Sequence, residues 1–367
     1  MESTFRCRAK LAFFGGSRRV SSARRGRGVA ARVVMTITSV ALAASLTGCG
    51  IRMETPQPTE PVPDVNEVSR QTMVDDLLLI SHESADAATL TTNSSQAQIL
   101  TALADLSTAQ KNSIGGVYTS GLPDAPTASA SPSPTTTDSA PQDPTPASVI
   151  GKLSDSALRI RSALAVPTDA DLARAYASLA ISHMNSARSL AKKFDISFQV
   201  PSEFESDAWA QPDFLDEQDV IDLVRAEDAA GYAFEVIAAM QNPDARDRAL
   251  KTARLHRAFA ADLAASAGIV GTHKDPRLVA YELPFTLTAD QPLAPSKELK
   301  ALAQELESSL AGDYLSLIDS VDPESRMLLL DLAMSRGMLA ADWGATLGEF
   351  PFLGNGETVS SSATAQD

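Results

Sequence analysis

The residues best suited by type and spacing to do chemistry are two glutamate–histidine pairs, one in each half of the chain. In the second half, Glu227 and His256 each fall on an apolar stripe of helical spacing. In the first half, Glu83 and His183 are placed in the same way. Inward-facing carboxylates and imidazoles can bind a metal ion, line a small polar pocket or satisfy each other. All four are therefore candidate binding residues.

Two further candidates, Tyr232 and Arg257, fall at the edge of the stripes that carry Glu227 and His256. They would border a polar pocket between the two helices. The alternative is that Glu227 and His256 form a hydrogen-bonded pair inside a bundle, because buried charges are usually paired. We expect the two residues to face each other across neighbouring helices, with no metal ion between them.

Helices are expected to carry these residues. Aromatic residues make up only 5% of the chain, and alanine and leucine dominate its apolar content, which favours helices. The clearest apolar stripe runs from Leu299 to Val321 and includes Tyr314, whereas Glu307 is expected to lie off it. Asn242-Pro243 and Asp322-Pro323 each predict a helix start, with a capping residue before a proline. The spacing predicts eight helices, near 66–90, 94–114, 148–165, 168–195, 215–241, 243–268, 295–320 and 322–347.

The eight helices divide into two similar halves. Residues 79–83 align weakly with residues 223–227, and the order of elements suits two copies of a four-helix unit. We therefore predict an all-α protein with two four-helix bundles in tandem, over 67–200 and 210–353. A Pro/Ser/Thr-rich stretch at 122–147 cannot bury a core, so it is predicted to be a disordered loop within the first bundle. The tail at 354–367 is predicted to be disordered as well.

The N-terminal segment 1–48 predicts export followed by lipid attachment. Nine basic residues and one acidic residue precede an apolar run that is too short for a comfortable transmembrane helix. The run ends in Leu46-Thr47-Gly48-Cys49, which resembles the lipobox of bacterial lipoproteins. By that resemblance Cys49 carries a diacylglyceryl group, and several acyl chains on one residue give stable anchoring. Residues 49–66 then form a flexible tether, and the protein is expected on the extracytoplasmic face of the cell membrane.

Charge and residue types exclude several classes of function. Without residues 1–48 the chain keeps 22 basic and 45 acidic residues, a net charge of −23. A surface this acidic repels nucleic acid and anionic headgroups. The sequence contains no glycine-rich phosphate loop, no set of cysteines at metal-binding spacing and no credible Ser/His/Asp arrangement.

The second half carries motifs that resemble one known family. The motifs are Arg225–Tyr232, Leu255-His256-Arg257, Tyr281-Glu282-Leu283-Pro284-Phe285, and Trp343-Gly344 with Phe350-Pro351. Their order over 215–353 resembles the ferritin-like domain of unknown function found in actinobacterial lipoproteins. The resemblance implies a ferritin-like four-helix bundle and no established activity.

The ligand set of a di-iron ferritin-like site is broken in this chain. Such sites take one Glu from each of two helices and a Glu-x-x-His motif from each of two others. The residue three before His256 is Ala253, and the residue three before His183 is Ala180. One carboxylate cannot neutralise two hard cations, so we predict no metal and no cofactor.

The sequence therefore predicts a non-enzymatic, lipid-anchored interaction or binding module of the cell envelope. Its expected partners are the membrane, through the N-terminal lipid, and cell-envelope proteins, but not nucleic acid. One alternative is a ferritin-like metal-binding or redox protein with a reduced site. Another is a binding protein for a small or lipid-like ligand, which the sequence does not identify.

Overall fold

The fold is given by a computed structural model that describes residues 62–119, 143–166, 169–204, 213–283 and 296–353. These residues form eight α-helices and two short 3-10 turns without any β-strand, which confirms the all-α prediction. None of the helices in these ranges is long and apolar enough to cross a membrane. The predicted signal segment, Cys49, residues 122–142 and the tail 354–367 lie outside the described residues. The helices are α1 (Val65–Leu90), α2 (Ser94–Ser113), α3 (Pro146–Ala163), α4 (Ala170–Phe194), α5 (Glu217–Ala239), α6 (Pro243–Ser266), α7 (Ser296–Ser316) and α8 (Pro323–Asp342).

Short polar side chains determine where several helices begin. Asn242 and Asp322 each accept a hydrogen bond from a backbone amide three residues further on, and a proline follows each of them, as predicted. Thr145 and Ser148 form a capping box that starts α3 at Pro146. The predicted end of the loop at residue 147 is therefore two residues too late, because residues 146 and 147 belong to α3.

The last helix ends earlier than the predicted residue 347. α8 stops at Asp342, and Gly344 follows with a φ of 90°, a conformation that ends helices and that glycine adopts without strain. The segment 345–353 then returns over the other helices. The side chains of Gln110 and Ser178 donate hydrogen bonds of 2.7 and 2.6 Å to backbone carbonyl oxygens of this segment. These contacts tie the C-terminal segment to α2 and α4.

Consecutive helices pack as pairs, α1 with α2, α3 with α4, α5 with α6 and α7 with α8. The pairs meet in a hydrophobic core that draws residues from both halves of the chain, including Leu77, Leu179, Leu263 and Leu330. α4 contacts α8 directly. All the described residues belong to one compact unit, and the division into two ferritin-like bundles stays a prediction.

Candidate functional site

Four helices each contribute to one buried polar cluster, which we call the buried network. It consists of Glu227 from α5, His256 from α6, Glu307 and Tyr314 from α7, and Arg336 from α8. Glu227, His256, Glu307 and Tyr314 are fully buried, and Arg336 is 2% exposed. The prediction that Glu227 and His256 face each other is confirmed, but they are two members of a set of five.

Glu227 and His256 stand at the centre of the buried network. Nδ1 of His256 lies 2.5 Å from Oε2 of Glu227, and its Nε2 lies 3.1 Å from Oε1 of Glu307. The other oxygen of Glu227 accepts hydrogen bonds from the Tyr314 hydroxyl at 2.5 Å and from Nε of Arg336 at 2.9 Å. Nη2 of Arg336 lies 2.9 Å from that same oxygen, close enough for an ion pair although not aligned as a hydrogen bond. Every titratable group in the cluster thus has a partner within it.

The protonation states of the buried network follow from these contacts. Burial alone would favour a neutral Glu227, but the charges of Arg336 and His256 outweigh it and lower the pKa of Glu227 to about 2. Burial opposes a charged imidazole, but Glu227 and Glu307 raise the pKa of His256 above its ordinary value. Protonated His256 can donate to both carboxylates. With both glutamates ionised, the imidazolium and the guanidinium balance the charge of the cluster.

Apolar groups enclose the buried network. The ring of Phe234 stacks on the imidazole of His256, with centroids 5.5 Å apart and planes inclined by 7°. The guanidinium of Arg336 lies 5.1 Å from the ring centroid of Phe259. The low-dielectric surroundings strengthen each charge–charge contact and raise the cost of losing any one of them.

The residues of the buried network do not fit a di-iron centre. Both nitrogens of His256 point at carboxylates, so neither is free for a metal ion, and the Arg336 guanidinium occupies a position where it would repel one. The Glu-x-x-His motif of such a centre is also absent at His256, because the residue three before it is Ala253. In the described ranges, no group of three or more His, Cys, Asp or Glu side chains is arranged to hold a metal ion.

Tyr232 and Arg257 lie in a second polar cluster, on the outer side of α5 and α6. Nη1 of Arg257 donates a 2.6 Å hydrogen bond to Asp228, and its other nitrogens contact Glu235 at 3.2 Å. The Tyr281 hydroxyl donates to the second oxygen of Asp228 at 2.7 Å, and the ring centroids of Tyr232 and Tyr281 are 5.9 Å apart. Arg257 is therefore held by two carboxylates and packs over Tyr232, with its guanidinium 5.9 Å from the ring centroid.

A glycine permits this packing of Arg257 across α5. A Cβ atom added at Gly231 would lie 2.8 Å from both Cγ and Cδ of Arg257 and 3.2 Å from its backbone nitrogen. Gly231 thus lets α5 and α6 approach closely enough for the Arg257 side chain to cross the helix and reach Asp228.

The first half does not bring its glutamate and histidine together. His183 is 2% exposed, and neither ring nitrogen has a hydrogen-bond partner. Burial, reinforced by the charge of Arg159, lowers the pKa of His183 to about 3, so the ring is neutral. Glu83 is half-buried, and one of its oxygens lies 4.0 Å from Nζ of Lys152. The two candidates of this half therefore remain separate and do not reproduce the buried network.

Three members of the buried network, Glu307, Tyr314 and Arg336, were not predicted from the sequence as site residues. Glu307 was expected off the buried stripe of α7, and this was wrong because α7 buries a broader face than the leucine stripe alone. Ala303 and Ala311, four residues to either side of Glu307, are both fully buried, and this spacing of small residues was the available signal. Tyr314 was placed in the stripe as a packing residue, without its hydroxyl contact. Arg336 carried no sequence signal.

A groove forms a separate cavity of about 1040 Å³ between α2, α4 and the C-terminal end of α8. We call it the α2–α4 groove; it is lined by apolar side chains of α2, including Leu103 and Leu106, and by polar side chains of α4, including Ser189 and Lys193. Leu347, in the returning segment, completes the lining. No residue of the buried network lines this groove.

No curated protein and no solved structure matches the chain. Residues 220–355, which contain all five residues of the buried network, match the family described as Domain of unknown function (DUF4439).

Proposed function

We propose that the protein is a lipid-anchored, non-catalytic binding module on the extracytoplasmic face of the cell membrane. The non-catalytic part of this proposal rests on the buried network, in which both nitrogens of His256 already contact carboxylates. A catalytic or metal site needs groups that are free to contact substrate or metal, whereas here the two nitrogens of His256 are both committed to carboxylates. The basic and apolar segment before Cys49 carries the anchoring part.

The buried network supports a structural role for the matched domain. Its charges balance, its members come from all four helices of the domain, and it lies under aromatic rings. A network that joins four helices fixes their relative register, because each side chain must reach its partner. We further propose that this domain is a ferritin-like bundle that has lost its metal ligands, and that the first half is a diverged copy.

A second candidate function, binding of a small or lipid-like ligand, is favoured by the α2–α4 groove. Its volume of about 1040 Å³ lies at the upper end of the range for small-molecule sites. The remaining candidate, a metal-binding or redox protein with a reduced site, is disfavoured by the guanidinium of Arg336. That group already supplies Glu227 with the positive charge that a bound metal ion would supply.

Anchoring is tested by the two cysteines of the chain, Cys7 and Cys49. The wild-type protein and the matched Cys7→Ala variant should incorporate radiolabelled fatty acid and sediment with membranes. Cys49→Ala should take up no label and should be recovered as precursor or in the medium. If the wild-type protein takes up no fatty acid, the proposed lipid attachment at Cys49 is wrong.

The non-catalytic assignment is tested by metal content. Protein purified from cells supplied with iron, manganese and zinc should contain far less than one equivalent of any of them. Near-stoichiometric metal that is lost in His256→Gln would instead establish the metal-binding alternative.

A further inference from the structure

We propose that the α2–α4 groove binds a single-chain amphiphile with an anionic headgroup. The inference deepens the proposed function, since it names the ligand class of a binding module. It rests on three features of the groove: an apolar wall, an opposing polar wall and cations at one end.

The apolar wall is formed by α2 and by the chain that follows α4. Ile99, Leu103 and Leu106 recur on α2 at steps of four and three, and Ile196 and Phe198 continue the apolar lining beyond α4. Leu103 is 8% exposed and the other four side chains are half-buried, so the wall is partly open to solvent. An acyl chain lying along it would gain from every methylene it buries.

The opposing wall is a polar stripe on α4. Ser182, Asn185, Ser186 and Ser189 line the groove at the three- and four-residue steps that place side chains on one helix face. The stripe continues to Lys193 at the end of the helix. The distance along the axis from Ser182 to Lys193 is about 16 Å at 1.5 Å per residue, which suits an extended chain of moderate length.

The cationic end gives the groove a local charge opposite to the net charge of the molecule. Lys192 and Lys193 are exposed and line the groove, and no ion pair within 4.0 Å joins either of them to a carboxylate in the described part of the chain. Arg188, also in the lining, is held at 3.0 Å by Asp342. Lysines complement the dipole at a helix C-terminus, but that role does not require an apolar wall beside them.

The arrangement of walls and charges selects the ligand class. The net charge of the whole chain is −15, so its surface on average repels anions, whereas Lys192 and Lys193 attract them locally. An anionic headgroup would pair with Lys192 and Lys193, and its chain would then lie along Leu103 and Leu106. A free anion would use only the lysines, and a neutral or cationic amphiphile would use only the wall.

The test is calorimetric titration of the full chain, produced in the cytoplasm so that no lipid is attached. Dodecyl phosphate, kept below its critical micelle concentration, should bind at one site. Dodecyltrimethylammonium, which has the same chain and the opposite charge, and inorganic phosphate, which has no chain, should each bind at least tenfold more weakly. Far-UV circular dichroism at each ligand concentration checks that the fold is retained.

Variants then locate the site. Ser189→Trp places a large side chain in the groove from an exposed position and should abolish binding. The double variant Lys192→Glu/Lys193→Glu should weaken binding at least tenfold. Lys251→Glu/Arg254→Glu, which makes the same charge change at exposed positions of α6 outside the groove, should keep the affinity within twofold.

Several results would overturn the proposal: no binding of dodecyl phosphate, equal binding of the cationic amphiphile or of inorganic phosphate, or full affinity in Ser189→Trp. These results leave the proposed function standing if the protein is lipid-labelled and free of metal. Conversely, stoichiometric metal bound through His256 would overturn the non-catalytic assignment even if dodecyl phosphate binds in the groove.

Discussion

Replacing His256 by leucine should destabilise the protein strongly, through the carboxylates that the imidazole leaves behind. Glu227 would keep its contacts with Tyr314 and Arg336. Glu307 would lose the hydrogen bond at Oε1, and its Oε2 has no hydrogen-bond partner. Because Glu307 is fully buried, His256→Leu should cost about 3–5 kcal/mol in free energy of unfolding, the usual cost of breaking a buried charge pair.

A second replacement should recover part of this loss. In His256→Leu/Glu307→Leu the stranded carboxylate is gone, while Glu227 and Arg336 remain as a neutral pair. The double variant should therefore be more stable than the sum of the two single changes implies, by roughly 1–3 kcal/mol. If Glu227 and His256 formed an isolated pair, as a two-residue interpretation of the sequence suggests, Glu307 would show no coupling to His256.

The measurement is equilibrium unfolding in urea of the wild-type protein, the two single variants and the double variant. Arg225→Ala serves as the control, because it removes an exposed ion pair with Asp222 and should change stability by at most about 1 kcal/mol. A cost of His256→Leu no greater than that of the control would show that losing the imidazole does not leave Glu307 as an unpaired buried carboxylate. So would strict additivity of the two single changes.

The remaining predictions concern pH and helix packing. Because the pKa of His256 is raised in the folded state, its protonation stabilises the fold fully below about pH 6.5, and this stability is lost as the pH rises through the folded-state pKa. A plot of unfolding free energy in urea against pH should therefore fall less steeply on its alkaline side for His256→Gln than for the wild-type protein. The pKa of His183 is lowered to about 3 in the folded state, so protonation of His183 favours the unfolded state as the pH falls below about 6.5. The stability of His183→Leu should therefore fall less steeply than that of the wild-type protein between about pH 6.5 and 4.5. A pH profile that is unchanged in either variant would contradict the corresponding prediction. Gly231→Ala should destabilise by about 1–3 kcal/mol because the new methyl group collides with Arg257. The matched Gly151→Ala, in α3 with open space around it, should stabilise by about 0.5–1 kcal/mol, and equal effects at the two glycines would contradict the packing argument.

Helix positions could be predicted from the sequence to within a few residues, because apolar spacing and capping residues are local signals. α1 was predicted to begin at 66 and begins at Val65, and α6 was predicted to begin at 243 and begins at Pro243. The end of α8 was placed too late although Gly344, a residue type that commonly follows the end of a helix, was the available signal.

The candidate site could be predicted only in part. Glu227 and His256 were recognisable because each interrupts an apolar stripe with one polar side chain. Arg336 was not, because a long side chain can reach a buried partner from a position that the stripe alone does not mark. The pairing of Glu307 with His256 depends on the relative register of α6 and α7, which tertiary packing determines and local spacing does not.

We infer that His256 is a charged imidazole held between two carboxylates, with neither nitrogen free to bind metal. The test is nitrogen NMR of the full chain labelled at histidine, recorded at pH 6.5 with and without added Zn²⁺. The signals of His256 are assigned by their absence in His256→Gln. We predict that both ring nitrogens carry protons in both spectra, because Glu227 and Glu307 raise the pKa of the imidazole and occupy both of its nitrogens. A ring that titrates as an ordinary histidine, or one that loses a proton to Zn²⁺, would contradict the account.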